Sequence, residues 1–333
     1  MPHSLLSSLA EHEPALLEAC MKGLSLDDLI ALASSSRAIG LAARAVGQRL
    51  LAEEVAAAPW GAAWRCSHGN VFGKIKMLRL FKESPSLEEG SKLFEKLDLV
   101  YTQQENPHWA FRLATDLLNP VNGYDVPHGL LHNELAALLM YVSSARYGSA
   151  FACDSNHALR VSSSLSDWRK TTTAKAYSSH CTYDISPGLC LPYVKSMLQA
   201  LHKLPLVSGT YWRGVVADLR EYGYATGRVV EWRSFSSVSP LREDAEGYAR
   251  GASTPNGWKA IANGQYATLC QIEVRTGRDI TFVHEQLSNW DEEVLLLPGT
   301  KLEVVSIFPF VNISRNDFTP NTPTVFMHLR EVA

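Results

Sequence analysis

After Gly209 the spacing of apolar residues changes, and that change bounds what the chain can fold into. Before it, segments 13–58, 74–82, 86–98, 107–118, 133–147 and 191–204 place Leu, Ala, Val and Met three or four residues apart, the period of a buried helix face. After it, short runs rich in Val, Ile, Tyr and Phe stand between Gly and Pro, at 210–217, 230–237, 266–274, 293–297, 301–308 and 324–330. Helices followed by a run of strands, rather than alternating with them, predict an α+β fold. No strand run leads into a G-x-G-x-x-G or P-loop motif, so a Rossmann arrangement is disfavoured.

The helical part carries its own punctuation. Ser25 followed three residues later by Asp28 reads as a capped helix start, and Pro59-Trp60-Gly61 ends that block. Trp60, Trp64 and Trp109 read as buried anchors. In 133–147, Leu135, Leu138, Leu139 and Val142 face inward; in 191–204, Val194, Met197, Leu198 and Leu201 make the stripe and Pro192 suits a first turn. Asn119-Pro120-Val121-Asn122-Gly123 is a turn cluster. It divides the 333 residues into a helical N-terminal region, 1–120, and a second domain, 121–333. Residues 13–60 loosely resemble an F-box module, which would dock on a ubiquitin-ligase adaptor. A plain helical bundle has the same Leu/Ala periodicity.

Composition excludes several classes. Hydrophobic residues at 46%, charged residues at 20% and a net charge of −3 leave no electrostatic footprint for nucleic acid. No apolar run approaches the ~20 residues of a membrane span. The N-terminus has no basic start or long apolar core, and Glu11 and Glu13 follow quickly, which argues against a Sec signal peptide. Cys20, Cys66, Cys153, Cys181, Cys190 and Cys270 form no C-x-x-C pair, so reduced thiols are expected. His128 and His132 stand four apart, but Pro127 and Gly129 weaken the helix they would share, and no third ligand is apparent; no metal is expected. The expected location is the cytoplasm, or a host cell reached by another export route.

Three segments place polar groups where an apolar strand begins or ends: Tyr211-Trp212-Arg213-Gly214, Phe235-Ser236-Ser237-Val238-Ser239, and Asp291-Glu292-Glu293-Val294-Leu295. Taken singly they are a surface arginine, turn serines and a solvated acidic corner. Taken together, in this order and on strands, they put an Arg, a Ser and a Glu toward one cleft. That order resembles the signature of the Arg-Ser-Glu class of mono-ADP-ribosyltransferases. The resemblance extends to Leu201-His202-Lys203-Leu204-Pro205 ahead of the Arg strand, to Glu293 through Gly299, and upstream to Glu134–Tyr147 and Asn156-His157-Ala158-Leu159-Arg160. It covers roughly residues 131–330.

The resemblance implies an ADP-ribosyltransferase-like split β-sandwich with flanking helices and NAD, as co-substrate, in the cleft. It also implies transfer of ADP-ribose to a protein side chain, arginine above all. Hydrolysis of NAD by water, or an F-box-like adaptor with a degenerate transferase domain, are the alternatives. Arg213 would fork onto the phosphates. Gly214 would let the backbone approach the nicotinamide carboxamide. Ser237, Asn156 and Arg160 would hold the rest of NAD, and Glu293 would bind the ribose 2′-hydroxyl and stabilise positive charge as the glycosidic bond breaks. Two departures stand out. Asp291 occupies the place of a Glu or Gln that positions the acceptor, one methylene shorter. The serine of the preceding strand is not evident in Ile280-Thr281-Phe282-Val283-His284. Asn289 and Trp290, in the loop before Asp291, can touch an acceptor protein.

Overall fold

The computed structural model describes residues 14–34, 37–56, 71–82, 107–119, 126–147, 150–161, 173–174, 184–185, 187–249, 267–287, 292–308 and 324–332. The expectations for Trp60, Trp64, the helix at 86–98, the turn after Asn119, Asn289, Trp290 and Asp291 lie outside these residues. The chain divides into two compact units, one holding the described residues up to Lys82 and the other those from Pro107 onward.

The first unit contains α1 (Pro14–Met21), α2 (Leu26–Ala33), α3 (Arg37–Ala56) and α4 (Val71–Lys82). The block at 13–58 is therefore broken after Met21 and after Ala33. Ser25 caps α2 in a reciprocal capping box with Asp28, as the spacing predicts. Leu17, Met21, Leu29, Ile39, Val46, Phe72 and Ile75 form the core of this unit.

In the second unit, α5 (Pro107–Leu118), α6 (His132–Tyr147), α7 (Ala150–Val161) and α8 (Pro187–Lys203) are joined by the two-residue strands β1 (Thr173–Ala174) and β2 (Asp184–Ile185). The predicted inward faces of α6 and α8 are buried: Leu135, Leu138, Leu139, Val142, Val194, Met197, Leu198 and Leu201 are inaccessible to solvent. Pro192 is not in the first turn. The helix begins at Pro187, and Pro192 sits inside it. Its carbonyl accepts from the Ser196 hydroxyl at 3.0 Å. His128 stands in a 3-10 turn at positive φ ahead of His132, the first residue of α6, so the two do not share a helix face.

The strands are β3 (Leu206–Val215), β4 (Val229–Trp232), β5 (Ser236–Val238), β6 (Ala267–Asp279), β7 (Val294–Leu296), β8 (Thr300–Phe308) and β9 (Thr324–Val332). They run in the order β4-β8-β9-β6-β7-β5, with β3 on the other side of β6. The run at 230–237 is two strands: β4 pairs β8, and β5 pairs β7. The break between them, at Arg233–Phe235, lies opposite the break between β7 and β8 at Leu297–Gly299, and β6 meets the two groups in turn. It pairs in parallel with β9 from Ala267 to Glu273, then antiparallel with β7 at Arg278 and Asp279, while β3 follows it throughout. Where the neighbour changes, the buried Glu331 of β9 accepts from the backbone N–H groups of Arg275 (2.6 Å) and Thr276 (3.0 Å) and from the Thr276 hydroxyl. β5 returns to β3 through two backbone bonds between Trp212 and Ser239, of 2.7 and 2.8 Å.

Trp232, Val238, Cys270, Ile272, Val294, Leu296, Leu302, Val304, Met327 and Leu329 fill one face of this sheet. On β3, α9 (Arg242–Ala249) packs so closely that a Cβ on Gly214 would lie 1.9 Å from the Ala245 carbonyl oxygen and 2.4 Å from the Ala249 nitrogen. Gly214→Ala must push α9 away from β3. Backbone cannot yield as a flexible side chain does, so the expected loss is at least about 1–3 kcal/mol of stability. Chemical denaturation of the full chain checks this, and an unchanged midpoint would contradict it.

Candidate functional site

The site is built where β3 meets the β5–β7 pair. Arg213, on β3, is opposite Cys270 of β6, which puts it on the packed face of the sheet. Its guanidinium lies over the Trp232 ring, 5.5 Å from the centroid. Its Nη1 donates to the Ser237 carbonyl oxygen at 2.6 Å. The arginine thus ties β3 to β5 next to the Trp212–Ser239 bridge. Trp232 in turn donates from Nε1 to the Tyr224 hydroxyl at 2.8 Å.

Ser237 and Glu293 come together by strand alternation. Ser237 is opposite Leu295, and Glu293, two residues before Leu295, faces the same way. Ser237 Oγ is 2.9 Å from the Tyr141 hydroxyl of α6. Burial pushes the Tyr141 phenol well above its ordinary range, and the charge of Glu293 adds to that; hydrogen bonds with Ser237 and Asn156 and the charge of Arg213 oppose it. Tyr141 therefore stays a neutral O–H donor. It stands amid the four residues Arg213, Ser237, Asn156 and Glu293, which lie on four separate segments of the chain.

Glu293 immediately precedes β7 and is only 8% exposed. Its Oε2 is 2.6 Å from His284 Nε2. Its Oε1 is buried with no hydrogen-bond partner among the described residues, and so is Asn156 Oδ1. Orphaned buried acceptors are uncommon in a folded chain and point to a missing donor. His284 belongs to α10 (Thr281–Gln286), so the segment expected as a strand is a short helix.

Asn156 and Arg160 are both on α7, and Arg160 Nη1 reaches the Ser234 hydroxyl at 3.4 Å. Arg160, Arg213 and Arg233 line a cleft of about 310 Å³ together with Tyr224, Trp232 and Ser234; Glu231, 3.8 Å from Arg233, is the carboxylate on the same wall. Three guanidinium groups in one cleft suit a multiply charged anion. Gly214 adjoins Arg213, and its missing side chain is accounted for by α9. The Cys270 thiol beneath Arg213 is pushed by burial up to about 12 and is no nucleophile.

Two residues of this site escape sequence reasoning. Tyr141 sits in the apolar stripe of α6, where nothing separates it from packing except the need of a buried hydroxyl for a partner. His284 lies in a segment with strand-like composition, and its pairing with Glu293 depends on α10.

No family model matches the chain, and no curated protein matches it. The chain is similar to several solved structures. The ADP-ribosyltransferase Vis, a toxin from Vibrio splendidus solved in complex with agmatine, aligns at 20% identity over 71% of this chain and 90% of its own, with a TM-score of 0.41. The type III effector XopAI from Xanthomonas axonopodis pv. citri aligns at 17% identity over 76% and 86%, with a TM-score of 0.44. The ADP-ribosyltransferase HopU1 of Pseudomonas syringae pv. tomato DC3000 aligns at 17% identity over 68% and 96%, also at 0.44.

Proposed function

We propose that this protein is an NAD-dependent mono-ADP-ribosyltransferase that passes ADP-ribose to a protein side chain, arginine above all. The observation that carries the reading is the arrangement around Tyr141. Arg213, Ser237 and Glu293 are far apart in sequence and belong to a motif order that resembles the Arg-Ser-Glu class. They fall within one network that also holds Asn156. A buried carboxylate oxygen with no partner among the described residues and a cleft lined by three arginines are two features that NAD needs.

NAD supplies the bond to be broken, between nicotinamide and ribose, and the ADP-ribose to be transferred. The chain's residues do the rest. Arg213 and Arg160 neutralise the pyrophosphate and hold it in the cleft. Ser237, backed by the Tyr141 hydroxyl, orients the nicotinamide-side ribose. Glu293 Oε1 accepts the ribose 2′-hydroxyl and places negative charge next to the developing cation, in a site where low polarity strengthens the interaction. Asp291, two residues earlier, positions the acceptor.

Full-length protein, labelled NAD and a cell lysate test the reading: label should enter protein, and mass spectrometry should place it on a side chain. Label that stays wholly on small molecules would favour NAD hydrolysis instead. Glu293→Gln keeps the shape and removes the charge, so NAD should still bind while turnover falls by ~10²–10³ or more. Near-native nicotinamide release from this variant would remove Glu293 from the chemistry.

Arg213→Lys keeps one charge and loses the fork that reaches Ser237 and covers Trp232. Weaker NAD binding with reduced turnover is expected, and calorimetry showing unchanged affinity would place the phosphates elsewhere. Asp291→Ala should raise the ratio of free to protein-bound ADP-ribose, because water needs little positioning. Equal loss of hydrolysis and transfer would put Asp291 in the NAD machinery.

A further inference from the structure

Glu293 is held by one short helix. The Ile280 N–H donates to the Glu293 carbonyl oxygen at 3.0 Å, and the Glu293 N–H donates to the Thr281 hydroxyl at 3.3 Å. Thr281 opens α10, and His284, three residues on, lies on the same face of that helix. From there its Nε2 meets Glu293 Oε2 at 2.6 Å, with both side chains buried. Such a distance is that of a short, charge-assisted bond. With the carboxylate ionised it can only accept, and the imidazole donates from Nε2. The Tyr141 and Tyr193 phenols, on α6 and α8, also feel the charge of Glu293.

We infer that His284 is a positioning residue for Glu293: by holding Oε2 it fixes the carboxylate so that Oε1, which has no hydrogen-bond partner among the described residues, is presented to the substrate hydroxyl. The inference rests on the NAD reading of Glu293 given above. The pairing has a division of labour that a plain ion pair lacks. A pair serving only stability would gain from engaging both oxygens, because an unsatisfied buried acceptor is costly. Here one oxygen is anchored and its twin, also buried, has no hydrogen-bond partner among the described residues. His284 never touches the substrate; its effect runs through the orientation of Glu293.

The test uses the full chain and four proteins: wild type, His284→Phe, His284→Gln and His284→Asn. Nicotinamide release gives kcat and KM for NAD, and thermal unfolding gives stability. A freed carboxylate drifts by about 1 Å, so His284→Phe should lose ~10²-fold in kcat. KM for NAD should stay within about threefold, since most NAD contacts are made elsewhere and the charge of Glu293 counts most as the glycosidic bond breaks. Gln places an amide N–H near the position of Nε2 and should recover most of kcat. Asn, one methylene shorter, should not, and this Gln–Asn contrast decides the matter even if His284→Phe does not fold. Wild-type kcat in His284→Phe, or equal kcat in Gln and Asn variants of equal stability, overturns the role of His284 alone. Wild-type protein that releases no nicotinamide overturns the NAD reading and this inference with it.

Discussion

The strand β6, 13 residues long, keeps β3 along one edge but changes neighbour along the other. Its first half lies beside β9 and its last two residues beside β7. At the crossing, backbone N–H groups would lose the regular ladder. The buried carboxylate of Glu331 replaces it, taking two N–H groups and a hydroxyl on one side chain. Gly277 allows the crossing to be tight: a Cβ there would lie 2.6 Å from Val294 and 3.0 Å from Val274. Because β6 changes partner, the strands along that edge fall into two groups, β9 with β8 and β4 beside its first half and β7 with β5 beside its end, and both share β6 and β3.

The site follows from that division. Arg213 rises from the shared part, on β3. Ser237 and Glu293 belong to the group beside the end of β6. The register of β4 on β8 runs on unchanged into that of β5 on β7, from Trp232 opposite Thr300 to Ser237 opposite Leu295, so the two pairs form one antiparallel run with a break in it. Beyond the break at Arg233–Phe235, Ser237 keeps that register opposite Leu295 of β7, and the Trp212–Ser239 bridge ties this end of β5 to β3 beside Arg213. The helices complete the enclosure: α6 brings Tyr141, α7 brings Asn156 and Arg160, and α10 brings His284.

Gathering these groups has an energetic cost. Taking a carboxylate, a phenol and a guanidinium out of water is unfavourable unless each finds a partner. Most do: Arg213 has the Ser237 carbonyl and the Trp232 ring, Tyr141 has Ser237, and one oxygen of Glu293 has His284. Among the described residues Glu293 Oε1 and Asn156 Oδ1 are two of the buried polar atoms left over, and in this network a bound molecule can satisfy them. Strain of this kind gathers where a protein binds something, since elsewhere it only weakens the fold.

By itself the sequence determined the element types, because they rest on local periodicity. The stripes of α6 and α8, the capping box of α2 and the positions of the strands were all legible from the spacing of apolar residues and a few capping side chains. Motif order also made Arg213, Ser237 and Glu293 legible as candidates. Tertiary structure alone decided the rest. Pro192 became an interior residue because α8 extends back to Pro187, which local signals do not reveal. The run at 230–237 is interrupted where its partner run breaks at Leu297-Pro298-Gly299, a pairing that local spacing does not reveal. Gly214 is fixed by the closeness of α9. Tyr141 and His284 entered the site because a hydroxyl in an apolar stripe and an imidazole in a β-like segment acquire meaning only from what the fold sets against them. Periodicity reports which face of an element is buried; it carries no information about which polar atom meets which across the chain.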